Sequence, residues 1–525
     1  MSDGVAYRTR WWSGTHDFPE QAGRPHHPGA RPLGVAISAG GFRSFACGVG
    51  QLRALHSLGL MPRIGAISAV SGGAWCATAF AYAPWQIDES VLLGAHRPLD
   101  ELTLDDLDDL PRNGLLFPIT AFTTRATARR LYDVGVSLER IFGQTLTETV
   151  LSPHHIPTKA PWFALDALHR ADLLARNPHL DPETVILPAP TRPFVITGTA
   201  LVREPGRRQW YVPLELTPMY ASLPPDIRFK RPIRFIEHNA LFSPTVEWGR
   251  HRVGTIRLRP DGFNLSDLWG STGNAPGGVM ARLAGMFGFE KDSFDQRIGV
   301  WASSGRPYGD PLVDGGYYEN MGLLPLLRRG FDRIVAFMNS NSTVGGSGGE
   351  MVNGVDGQIA RLFGRPPSSG LWANQELRLF PPEELEAVTT GLKASAARGG
   401  AALAPRRAYA LPVECPGPPP APGADSVDVQ RAERGVPRCV AGGHGAGAPG
   451  PPRGRADRVS AFLGGPDQHH RHLPDDHAAA PAAVSPVGSR RPRPSGRIVL
   501  ARGRCTRRGV TISRAGRRPL SGSGW

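Results

Sequence analysis

Cysteine is scarce in this 525-residue chain: Cys47, Cys76, Cys415, Cys439 and Cys505, an odd number with no CxxC pair. That spacing argues against a disulfide framework and against a structural zinc site. Long apolar runs are also missing; none approaches the roughly 18–20 residues that span a bilayer. The opening MSDGVAYRTRWWSGTHDFPE is polar and mixed, not a basic segment followed by an apolar one. These absences set the expectation of a reduced, cytoplasmic protein, peripheral to membranes at most; export without a cleaved leader would leave no trace. The phosphate-loop pattern GxxxxGK[ST] does not occur. His26 and His27 stand together without companion ligands, so they read as a solvated loop, and neither metal nor cofactor is expected.

Lysine is absent from residues 396–525, which hold 21 Arg and 8 acidic residues. This tail carries almost all of the formal charge of +14, and the first 395 residues are close to neutral. A nucleic-acid surface is therefore not the signature of the body. The tail is Ala, Gly, Pro and Arg with no period of 3.6 or 2, and such a composition is expected to stay disordered. One reading is a basic tail that binds anionic lipid or nucleic acid. The other is translation out of frame of GC-rich DNA, entered between about 395 and 410; a chain truncated in that way could be catalytically crippled.

Residues 1–31, rich in Gly, Pro and His, read as a flexible arm. Regular structure is expected over 32–395, as one large α/β domain. Strands are predicted at 32–38, 64–70, 194–202, 233–239, 297–303 and 333–339, and helices at 42–60, 72–82, 124–143 and 161–175. Strand, helix, strand, helix near the start is the pattern of a parallel sheet. The apolar, Gly-rich segment 263–290 reads either as a lid over an apolar site or as a surface loop with one amphipathic helix.

Three stretches carry chemistry. In ISAVSGGAW the apolar run Ile64–Val70 ends at Ser71, and Gly72 and Gly73 open a helix. A serine at the carboxyl end of a parallel strand, flanked by small residues, matches the logic of a nucleophile elbow, with Ala69 where that pattern usually has Gly. The same serine would suit a helix N-cap. In SAGGFRS, Gly40 and Gly41 follow the preceding strand. Their backbone N–H groups could face an oxyanion near Ser71 if the two strands are neighbours, or they form a plain turn. In PLVDGGYYENMG, Asp314 precedes Gly315 and Gly316 and could serve Ser71 as a base, or simply form an Asp-Gly turn.

Together these stretches resemble the patatin-like phospholipase superfamily. They match its GGxR turn (Gly40-Gly41-Phe42-Arg43), its GxSG[GS] elbow (Ala69-Val70-Ser71-Gly72-Gly73) and its late Asp-Gly-Gly turn (Asp314-Gly315-Gly316), in that order. The long separation of Ser71 and Asp314, and LFSPTVEWG at 241–249, look more like the cytosolic phospholipase and phospholipase B branch. The resemblance covers about residues 32–340. It implies a three-layer fold around a mostly parallel sheet and a Ser71–Asp314 dyad without histidine. It also implies oxyanion donors at Gly40 and Gly41, and Arg43 as loop support or phosphate contact. The implied reaction is hydrolysis of a phospholipid or lysophospholipid ester during transient membrane contact, with no metal; acyl transfer or neutral-lipid hydrolysis on the same dyad is the alternative. His238 and His251 are the candidates were a Ser-His-Asp triad used instead. Cys47 and Cys76 read as small core residues, and Trp11 and Trp12 as core cover.

Overall fold

In a computed structural model the chain divides into two compact units, residues 1–417 with 494–525, and residues 418–493. The structure describes residues 5–406 and 496–501, apart from 14–17, 22–32, 97–100, 102, 104, 108–109, 122–137, 204–209, 224–232, 244–245, 250, 258–261, 274–309, 340–343, 348–349, 370–376 and 398–401. The second unit lies outside them, as do His26, His27, Cys415, Cys439, Cys505, the strand expected at 297–303 and most of the helix expected at 124–143.

The first unit is built on a 13-stranded sheet. Its strands, in chain order, are β1 (Ala6–Ser13), β2 (Leu33–Ile37), β3 (Ile64–Val70), β4 (Phe194–Arg203), β5 (Trp210–Leu216), β6 (Ala221–Ser222), β7 (Ile233–Ile236), β8 (Val246–Trp248), β9 (Val253–Arg257), β10 (Leu312–Asp314), β11 (Arg333–Phe337), β12 (Ala402–Arg406) and β13 (Gly496–Ala501). Across the sheet the order is β8-β9-β1-β7-β6-β5-β4-β3-β2-β11-β13-β12, with β10 paired onto β4. The helices that matter below are α1 (Gly41–Ser57), α2 (Gly72–Tyr82), α3 (Leu138–Val150), α4 (Ala167–Arg176), α5 (Leu265–Gly273) and α6 (Leu385–Ala397).

The expectation of a mostly parallel sheet holds only for the block β4-β3-β2-β11-β13. The other pairings are antiparallel, so the sheet is mixed. In the parallel block both faces are covered. Val35, Ile37, Ile67 and Ala69 pack with α1 and α2 in one core. Ala36, Ala66 and Ile196 face a second core containing Leu324, Leu326 and Ile359. Burial on both sides is why β3 reads as an uninterrupted apolar run, IGAISAV, with every residue buried. α1 follows its predicted spacing, with Phe45, Val49 and Leu52 fully buried.

Three expectations need correction. The arm at 1–31 is not wholly flexible, because Ala6–Ser13 forms β1 between β9 and β7. Thr9 and Trp11 are buried there while Ala6 and Arg8 are not, a period of 2 hidden inside a polar segment. The tail is not devoid of regular structure either: β13 pairs in parallel with β11, and β12 pairs antiparallel with β13. Pairing needs only backbone N–H and C=O groups, which a low-complexity segment also has. Of the segment 263–290 only 263–273 is described, and there neither the lid nor the surface-loop reading fits, since α5 is buried over Leu265–Thr272. It packs closely on α3, where the backbone of Gly143 approaches that of Ser266.

A charged cluster ties the N-terminal segment to the sheet. Arg329, fully buried, meets Glu20 at 2.8 Å and Glu215 at 2.8 Å, and donates to the Tyr220 hydroxyl at 2.9 Å.

Candidate active site

Strand topology brings the separated motifs together. β3 pairs in parallel with the first half of β4, ending with Val70 opposite Gly198. β10 pairs antiparallel with the next residues of β4, ending with Asp314 opposite Thr199. Because β5 occupies the other edge of β4 from Thr197 to Arg203, β3 and β10 share one edge and run head to head. The residue after β3 and the last residue of β10 therefore meet, although 243 positions separate them.

Ser71 sits at that junction with φ 52° and ψ −127°, a conformation that costs a non-glycine residue about 1–3 kcal/mol. It is 4% exposed. It stands at the N-cap position of α2, yet its side chain makes no capping hydrogen bond. Its hydroxyl lies near enough to the Asp314 carboxylate to help hold that group's proton affinity down. Its backbone N–H donates to Thr272 Oγ1 at 3.0 Å. The two glycines that follow permit a close approach: a Cβ on Gly72 would land on the carbonyl of Gly41, and one on Gly73 would lie 2.8 Å from the carbonyls of Ile37 and Ser38. The start of α2 is thus pressed against the end of β2 and the glycine turn.

Asp314 is 7% exposed. Burial pushes its carboxyl up to about 6, opposed by hydrogen bonds from the Gly316 N–H and the Ser71 hydroxyl. The Gly316 bond is 2.8 Å long. Gly315 lies on the Gly198 carbonyl, where a Cβ would come within 2.6 Å. A buried carboxylate with that proton affinity is a far better base at neutral pH than a solvated one.

Gly40 and Gly41 form the turn between β2 and α1 with φ of 148° and 58°. Only Gly adopts both readily. The Ala39 N–H before them donates to the Asn320 carbonyl at 3.0 Å, which links this turn to the Asp314 loop. Arg43 folds back and donates to the Asn339 carbonyl at 2.8 Å. Asn339 itself is buried. Its N–H donates to Ser38 Oγ at 2.8 Å, its amide donates to Ser44 Oγ at 2.7 Å, and it accepts from Gln51 at 2.7 Å. Asn339 and Thr272 were not among the sequence candidates. For Asn339 a signal existed, a polar residue closing the apolar run RIVAFMN, as Ser71 closes its own strand. For Thr272 there was none.

The histidines considered for a triad lie in other elements. His238 is buried and stacked on Phe263 at 5.5 Å, with its proton affinity lowered to about 3 by burial; its ionisable neighbours are Glu237 and His169. His251 lies in the turn between β8 and β9. Cys76 is fully buried in α2, which raises its thiol pKa, and Cys47 is half-buried. Trp11 lies in the main core and Trp12 packs beside Tyr220. Among the described residues there is no group of three or more metal-ligating side chains, and no helix long and apolar enough to cross a membrane.

No family model and no curated protein matches the chain. Among solved structures it is similar to human GIVD cytosolic phospholipase A2, with 16% identity and a TM-score of 0.35 over 62% of this chain and 48% of that one. The same human enzyme in complex with methyl gamma-linolenyl fluorophosphonate gives 17% identity and a TM-score of 0.31 over 60% of this chain and 41% of that one. VipD from Legionella pneumophila gives 12% and 0.20, over 57% and 47%. The chain spans less than half the length of each. TM-scores of this size do not establish a common fold.

Proposed function

We propose that this protein is a serine acyl hydrolase of patatin-like type, acting on a phospholipid or lysophospholipid ester through Ser71 and Asp314. The observation that carries this reading is the meeting of β3 and β10 end to end on β4, which sets Ser71, in a strained backbone conformation and with no capping hydrogen bond, beside the buried Asp314 carboxylate. In the first half-reaction Ser71 Oγ bonds to the ester carbonyl carbon while its proton passes to Asp314. The C–O bond then breaks, and the leaving alcohol takes the proton from Asp314. In the second half-reaction Asp314 takes a proton from water, which attacks the acyl-serine. The fatty acid leaves, and the proton returns to Ser71. Gly40 and Gly41 would donate N–H groups to the tetrahedral oxygen, and the amino end of α2 adds favourable dipole.

The lipid substrate class rests on the motif resemblance; transient contact with a membrane surface and a cytoplasmic location are part of the same proposal. Covalent labelling with a fluorophosphonate, mapped by mass spectrometry, tests the chemistry. The expected result is an adduct on Ser71 that is absent in Ser71→Ala and strongly slowed in Asp314→Asn. A folded protein that forms no adduct at Ser71 would overturn the reading. Product analysis of lipid substrates, with and without an added alcohol acceptor, then identifies the ester and separates hydrolysis from transfer.

A further inference from the structure

We propose that the end of α5, Ser271–Thr272, is a positioning clamp that sets the spacing of Ser71 and Asp314; this rests on the reading given under Proposed function. β3 and β10 meet head to head, so no ladder of hydrogen bonds joins them directly. Their separation is set by β4, on which both are paired, and by whatever grips the junction. The Thr272 hydroxyl does so on one side. It accepts the Ser71 N–H at 3.0 Å and donates to the Gly198 carbonyl at 2.7 Å, using its single proton and one lone pair. Thr199 answers on the other side, its hydroxyl 2.8 Å from the Val313 carbonyl and 3.2 Å from the Ser271 carbonyl. Gly198 and Thr199 are the residues opposite Val70 and Asp314. Each end of the junction is thereby tied to the same turn of α5.

The clamp is itself rigidly held. Trp75 Nε1 donates to the Trp269 carbonyl at 3.1 Å, and Trp269 Nε1 donates to Thr78 Oγ1 at 2.7 Å. The two indoles stack. Arg140 pairs with Asp267 at 2.8 Å. A residue held at φ 52° persists only where its surroundings impose it, and the Ser71 N–H bond is one such restraint.

The test compares the full chain with Thr272→Val, which keeps the shape and removes the hydroxyl, and with Thr272→Ser, which keeps the hydroxyl. Two readouts are taken beside the melting midpoint: fluorophosphonate labelling of Ser71, resolved into binding and first-order reaction, and amide exchange of the peptide containing Ser71. Thr272→Val is expected to speed that exchange about tenfold, the effect of one lost buried hydrogen bond. It should slow the first-order reaction by about 10–100-fold through misplacement, with reagent binding unchanged. Thr272→Ser should restore most of both. Wild-type exchange and reaction in Thr272→Val would overturn the clamp. So would equal losses in Thr272→Ser, which would mark Thr272 as packing alone. Should Thr272→Val not fold, Thr272→Cys takes its place, with a weaker donor and acceptor of similar size. A wild-type chain that does not label at Ser71 refutes the acyl-transfer reading, while the exchange comparison still decides the clamp.

Discussion

Asp314 ties stability and chemistry to one proton. Its carboxyl is held at about 6 against an ordinary 3.8, with burial as the main cause. That gap of about 2 pH units corresponds to about 3 kcal/mol. The folded chain binds the proton more tightly than the unfolded chain. The stabilisation from this group is therefore complete below about pH 4 and is lost as pH rises through about 6. At pH 7 the ionised side chain costs the fold up to about 3 kcal/mol relative to its protonated form, a net figure that already includes its hydrogen bonds. Asp314→Asn removes the charge, so it should melt above wild type at pH 7 and lose that advantage at pH 4. The same variant should react with fluorophosphonate at Ser71 about 10²–10⁴-fold more slowly, because the base is gone. In wild type the labelling rate should climb about tenfold per pH unit below about 6 and level off above it. Rates from pH 4 to 8 and melts at both ends of that range are sufficient. A flat rate profile, or an Asn variant that labels like wild type, would refute the assignment of Asp314 as the base.

Three further outcomes are expected. Gly72→Ala places a methyl group on the backbone carbonyl of Gly41, which cannot rotate away, so it should cost at least about 1–3 kcal/mol in a urea melt and slow Ser71 labelling with Asp314 intact. Arg329→Ala leaves Glu20 buried without its cation, while Glu215 keeps Arg328, and should cost about 3–5 kcal/mol, part of it recovered by Glu20→Gln. Ending the chain at residue 406 removes β13 from the edge of β11 and should lower the melting midpoint by several degrees. An unchanged midpoint, with a break in reading frame found by independent sequencing of the gene, would instead support the reading of the tail as out-of-frame translation.

The amino-acid sequence alone determined the local pieces of the candidate site. Ile64–Val70 reads as a buried strand, because it is a short apolar run without alternation that ends at Ser71 and a glycine pair. Phe45, Val49 and Leu52 recur at helical spacing, so α1 followed. Ser71, Gly40, Gly41 and Asp314 stood out because small residues flank them where a chain must turn sharply. β1 was missed because its apolar residues alternate with arginines, and buried Thr9 looks like surface on paper. The antiparallel half of the sheet was missed because pairing direction depends on partners far away in the chain. Nothing local to PLVDGG says that β10 takes the free edge of β4 and points at β3. Only the tertiary structure decided that Ser71 and Asp314 meet and that α5 is buried beside them. It alone decided that the Asp314 carboxyl holds its proton more tightly than a solvated one, because that affinity comes from desolvation, and desolvation belongs to the packing of every element around the carboxylate, not to the residue itself.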